Sequence, residues 1–140
     1  MLHPIYKEIE ALVTPIDGVK GVEWYNAQYD ANIPKTPVLF VEFPEPYAPT
    51  QVSKDHLQGP LRIRIHISSK VLTAHNNKVP GGAIDKNEEI GHEVLALLKG
   101  NNLGGKIKPL RLISWQHWHR WQGWMVTLIE FEGSLTLQEA

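Results

Sequence analysis

Two histidines one residue apart, His117 and His119, sit inside a tryptophan-rich run, Ser114-Trp-Gln-His-Trp-His-Arg-Trp-Gln-Gly-Trp-Met. On an extended strand residues i and i+2 share a face, so both imidazoles would lie in chelating reach of one ion such as zinc. A site needs a third ligand. His66, His92 or a carboxylate would have to supply it, and no spacing in the chain singles one out. The competing reading is structural: an aromatic hairpin tip, half-buried or kept for a partner. On that reading His66, His117 and His119 bind no metal, and no cofactor is expected.

Other chemistries find less support. There is no cysteine, hence no thiolate and no disulfide. No Gly-x-Ser-x-Gly nominates a nucleophile. Gly81-Gly82 and Gly104-Gly105 lack the spacing of a phosphate-cradling loop. Glu88 with Glu89, and Glu130 with Glu132, read as solvated faces rather than a general acid/base pair. Arg62, Arg64 and His66 form a basic stripe at period 2. Either Glu42 or Glu130 on a neighbouring strand answers it, or an acidic partner does.

The chain has 140 residues, a size that suits one domain over 1–140, and is 42% hydrophobic, enough for a core. Its formal charge of −1 gives no field to draw nucleic acid or an anionic membrane. No apolar run approaches the roughly 20 residues of a membrane span. Glu8 arrives before any apolar run, unlike a signal peptide. These features predict a soluble globular protein.

The elements that would position the histidines follow from periodicity. Ile5, Ile9, Leu12 and Val13 form one stripe and predict a helix over about 3–14, stopped by Pro15. Residues 22–29 read as an aromatic strand. Residues 38–43 are apolar on both faces except Glu42, as in a central strand. The proline-rich stretch 44–60 reads as a long loop. In 61–68, Leu61, Ile63, Ile65 and Ile67 point one way and Arg62, Arg64, His66 and Ser68 the other. A second loop spans about 70–84. Asp85, with Glu88 three residues on, predicts the N-cap of a helix carrying Ile90, Val94, Leu97 and Leu98 and ended by Gly100.

The closing hairpin turns at Trp121-Gln122-Gly123, with Gly123 at the left-handed position. Its register sets Trp115 opposite Ile129, Ile113 opposite Phe131 and His119 opposite Met125. On the other face it sets Ser114 opposite Glu130 and Arg120 opposite Trp124, a cation–π pair. The second strand runs from Trp124 to about Leu137. The order α-β-β-β-α-β-β predicts an α+β fold: a mainly antiparallel sheet of four to five strands with two helices packed on it and a long C-terminal hairpin.

Trp115 and Trp118 must lie on opposite faces of one strand, so Trp115, Trp118, Trp121 and Trp124 cannot all enter one core. Exposed aromatics on hairpins favour interfaces. The expected contact set is therefore these four tryptophans with Arg120, Arg62 and Arg64, together with the 44–60 loop. The long terminal strand is expected to offer an unpaired edge for strand addition.

The ordered pattern resembles the phage tail-terminator (minor tail, tail-completion) proteins. The resemblance is carried by the helix after Pro4, by Tyr25-Asn-Ala-Gln-Tyr29, by Pro37-Val-Leu-Phe-Val-Glu-Phe43, by the basic strand 61–68, by the helix 85–99 and by the hairpin to Leu137. It implies a protein that is not an enzyme but forms a ring, usually hexameric, that caps the tail tube, halts its polymerisation and offers a surface to the head. The implied partners are like subunits, the tail-tube protein and a head–tail connector. The implied location is the virion, after assembly in the host bacterial cytoplasm. Another connector protein of the head–tail junction remains an alternative, as does a small metal- or ligand-binding domain, conceivably an enzyme, that uses His66, His117 and His119.

Overall fold

The computed structural model describes residues 1–31, 33–71, 79–118 and 123–138. Helix α1, Leu2–Val13, buries Ile5, Ile9 and Val13 along one stripe. The Thr14 hydroxyl donates back to the Glu10 carbonyl at 2.6 Å, and Pro15 cannot extend the ladder. The strands follow as β1 (Gly21–Trp24), β2 (Val38–Glu42), β3 (Thr50–Ser53), β4 (His56–Lys70), β5 (Arg111–Trp118) and β6 (Trp124–Gln138). Helix α2, Gly81–Leu98, lies between β4 and β5 in the chain.

The sheet order is β1-β2-β4-β6-β5, with β3 beside the first half of β4. The β1–β2 pair is parallel and all other pairs are antiparallel. The β4–β6 ladder runs unbroken from His56↔Gln138 to Lys70↔Trp124 and forms the spine. The α+β architecture with a long C-terminal hairpin is as the periodicity predicts. The sheet has six strands rather than four or five, because β3 lies inside the expected 44–60 loop. All four of its side chains are exposed, so it carries no apolar alternation to mark it.

Both helices pack on one face. Ile5, Ile9 and Val13 from α1 and Ile90, Val94 and Leu98 from α2 meet Leu39, Val41, Ile63, Ile65, Ile67, Ile129 and Phe131 of the sheet. The opposite face carries a second cluster: Tyr29, Val38, Phe40, Trp124, Val126 and Leu128, edged by Tyr25, Ile33 and Trp118. The segment after β1 covers it. Two covered faces explain why Val38, Leu39, Phe40 and Val41 are all buried.

Three expectations about elements are corrected. The expected strand 22–29 stops at Trp24: Ala27 takes a left-handed conformation (φ 53°), and Gln28–Asp30 forms a 3-10 turn that drives Tyr29 into the second cluster. Helix α2 starts at Gly81 rather than after an Asp85 cap. The Pro80 carbonyl accepts the Ala83 and Ile84 amides, so the helix begins a turn upstream of Asp85, and Asn87 is buried within it. Strand β6 is flanked by β4 and β5, so among the described strands the edge expected of it falls to β5 instead.

Candidate functional site

The hairpin register decides the fate of the histidines. His66 lies opposite Leu128 and His117 opposite Thr127, two consecutive residues of β6. Consecutive residues face opposite ways, so His66 and His117 stand on opposite faces of the sheet and cannot share an ion. His117 is exposed beside a cleft of about 410 Å³ lined by Ile84, Asn87, Glu88, Trp115 and Met125. His66 is 1% exposed. His119 lies outside the described residues. Among the described residues no group of three or more His, Cys, Asp or Glu could hold a metal.

The expected register holds from Ser114↔Glu130 and Trp115↔Ile129 to Trp118↔Val126. A bulge between Leu112 and Ser114 breaks it beyond, so Leu112 rather than Ile113 faces Phe131. Gly123 has φ 79°, as a left-handed turn residue requires. Arg120, Trp121 and Gln122, with the Arg120–Trp124 and His119–Met125 pairings, fall outside the described residues. The cation observed over the Trp124 ring is Lys70, 5.5 Å from the centroid.

The described tryptophans of the hairpin largely serve their own chain. Trp115 packs against Gly91 and His92 of α2 on the helical face. Trp118 stands edge-on to Tyr29 and His66 on the other face. Trp124 is buried, its indole N–H donating to the Tyr29 carbonyl at 3.0 Å. The more exposed aromatic is one the sequence did not flag: Trp24, 41% exposed, beside Tyr6 and Phe43.

Arg62 and Arg64 meet carboxylates of their own chain. Arg64 reaches Glu42 (3.4 Å) and Glu130 (3.3 Å). Arg62 reaches Glu45 (3.7 Å), Glu130 (3.8 Å) and Glu132 (3.5 Å). Arg111 also bonds Glu132. That hydrogen bond, with Arg62 nearby, holds the Glu132 carboxyl below the usual range. Cross-strand register brings the lattice together: Arg62 pairs with Glu132, and Arg64 with Glu42 and Glu130. The basic stripe is thus answered within the chain.

The lattice continues into a chain of short hydrogen bonds. His66 Nε2 lies 2.7 Å from Glu42 Oε1, His66 Nδ1 lies 2.7 Å from Tyr29 Oη, and Tyr29 Oη lies 2.7 Å from Ser68 Oγ. A neutral imidazole fits one direction throughout: Ser68 donates to Tyr29, Tyr29 to Nδ1, and Nε2–H to Glu42. Burial holds His66 below its ordinary pKa, with Arg64 adding to this and Glu42 opposing it. Burial pushes the Tyr29 phenol well up. For Glu42, burial acts to raise the pKa, but the bonds to His66 and Arg64 outweigh it. The sequence offered His66 as a ligand or a stripe residue; what it missed was Tyr29, which lies on no periodic pattern. Asn87 was also missed. It sits on the α2 stripe with Ile90, Val94 and Leu98, accepts from Ser69 Oγ at 2.7 Å and donates to the Ile67 carbonyl at 3.0 Å.

What remains open is the sheet edge. Strand β5 ends the sheet, and on it Leu112 (39%) and Ile113 (36%) are exposed. At the other end lie β1 and, on the β4 extension, β3 with exposed Val52. No family model matches this chain, and no curated protein matches it. No helix among the described residues is long and apolar enough to cross a membrane.

Proposed function

We propose that this chain is a non-enzymatic assembly protein of a phage tail, a terminator whose subunits join side by side into a ring that caps the tail tube and meets the head–tail connector. The observation that carries the reading is the β5 edge. Among the described residues β5 pairs only with β6, and its outer edge, with two exposed aliphatic side chains and a single charged residue, Arg111, already engaged by Glu132, lacks the charges that usually block strand addition. The opposite sheet end presents different edges, β1 and β3. Two unlike edges suit head-to-tail contacts, and such contacts close into rings when the rotation per subunit permits. The resemblance of the element order to tail terminators supplies the tube end as template and the hexamer as the expected ring.

The proposal puts Leu112, Ile113 and the 44–60 segment at subunit contacts, with Trp24 and Val52 as the exposed groups at the other end. The test is tube assembly. Purified tail-tube protein polymerised with this chain should give shorter tubes carrying the chain at one end. Tubes of unchanged length with no chain bound would reject the assignment. The opposed faces of His66 and His117 rule out an ion shared by those two, and His119 lies outside the described residues.

A further inference from the structure

The segment 25–31 does not belong to the sheet, yet it closes one of its faces. Tyr25 and Tyr29 lie over Phe40, Trp118 and Trp124. The segment's first residue is tied to β2 by the Tyr25 amide, which donates to the Val41 carbonyl at 2.9 Å, and its far end is tied through Tyr29. The Tyr29 hydroxyl meets both His66 and Ser68 of β4, and the Tyr29 carbonyl receives the Trp124 indole. The backbone leading there is under strain, since Ala27 holds a left-handed conformation that side-chain-bearing residues disfavour.

The groups facing the imidazole come from every element around it. Glu42 and Phe40 approach from β2, Arg64 and Ser68 from β4, Trp118 from β5, and Tyr25 stacks on the ring at 4.4 Å between centroids. Glu130 of β6 draws on the Arg64 guanidinium from the far side. Apart from Glu42 and Arg64, the described residues around the imidazole are aromatic or neutral. A proton on Nδ1 would not by itself sever the chain, because the Tyr29 and Ser68 hydroxyls can both turn. It would place a second cation in a dry aromatic site beside Arg64, where both would draw on Glu42 and only Arg64 also reaches Glu130.

The geometry points to a proton-operated latch: neutral His66 pins Tyr29 and so holds the 25–31 segment over the second apolar cluster, and protonation of His66 releases the segment while the β4–β6 ladder and both helices stay folded. Release uncovers Phe40, Val126 and Leu128, a sheet face otherwise hidden. Local opening is the cheaper response to acid because the segment contributes no strand to the ladder, and its strain at Ala27 is relieved when it lifts. The burial that keeps His66 neutral acts in the same direction.

Hydrogen exchange of the full chain, read by mass spectrometry and corrected for the intrinsic rate, tests this. Between about pH 7.5 and about pH 5, peptides over 25–31 should lose roughly tenfold or more of their protection while β4, β6 and α2 keep theirs. His66→Gln, which cannot take up the proton, should abolish that dependence. If this variant fails to fold, Tyr29→Phe keeps the ring in the cluster but removes the hydroxyl. It should show low protection over 25–31 at neutral pH and little further change in acid. Protection of 25–31 that persists to about pH 5, that falls together with the ladder, or that depends on pH as in the wild type in the variant that folds would overturn the latch.

Discussion

The clearest electrostatic consequence sits at His66. Its folded pKa lies below the ordinary 6.5 because the imidazole is buried. An unfolded chain gains a proton as pH falls through about 6.5, and the folded chain does not until lower pH, so acid favours unfolding. The stability tied to His66 is full above that point and lost on the way down. Glu42, also depressed once His66 and Arg64 outweigh its burial, adds a further loss below its ordinary 4.5. Urea midpoints should therefore be level near neutral pH and fall as pH drops below about 6.5, with a shallower fall in His66→Gln. Asn87→Ala should cost about 1–3 kcal/mol by the same titrations, since Ser69 and the Ile67 carbonyl would lose a buried partner. Ala27→Gly should gain a few tenths to about 1 kcal/mol, the relief of left-handed strain less the greater freedom of the unfolded chain.

Between elements, the packing of α2 on the hairpin rests on close approach. A Cβ on Gly91 would meet two ring carbons of Trp115 at 2.7 and 2.8 Å. Gly91→Ala should displace the indole, cost about 1–3 kcal/mol and shift the tryptophan emission. This scale also shows what a sequence can and cannot disclose. Ile63, Ile65 and Ile67 against Arg62, Arg64 and His66 gave the faces of β4 correctly, because period 2 is written in the side chains. The Trp115↔Ile129 pairing was legible from Gly123 and the segregation of apolar groups. The bulge at Leu112–Ser114 was not, since Leu112 and Ile113 are equally apolar and neither marks the extra residue. Strand β3 was hidden for the opposite reason: Thr50, Gln51, Val52 and Ser53 owe their conformation to pairing with β4 and bury nothing. Tyr29 looked like the end of a strand. Only the left-handed Ala27, which no propensity favours, turns it inward to His66.

At the scale of the molecule, the tryptophan count suggested an aromatic surface, and the sheet's two covers take up the three hairpin tryptophans among the described residues, Trp121 lying outside them. Trp115 goes under α2, while Trp118 and Trp124 go beside Tyr29. The contact surface proposed for assembly moves accordingly from the indoles to the β5 edge. Ile113→Lys, on an exposed edge position, should change stability by no more than about 0.5 kcal/mol and yet prevent self-association. Native mass spectrometry of the full chain at high concentration, with and without a chelator, tests the assembly account most directly. A closed multiple of the chain mass, a hexamer on the terminator reading, should appear unchanged by chelator and vanish in Ile113→Lys. A monomer at every concentration, or a chelator-sensitive increment of one metal ion per chain, would contradict it.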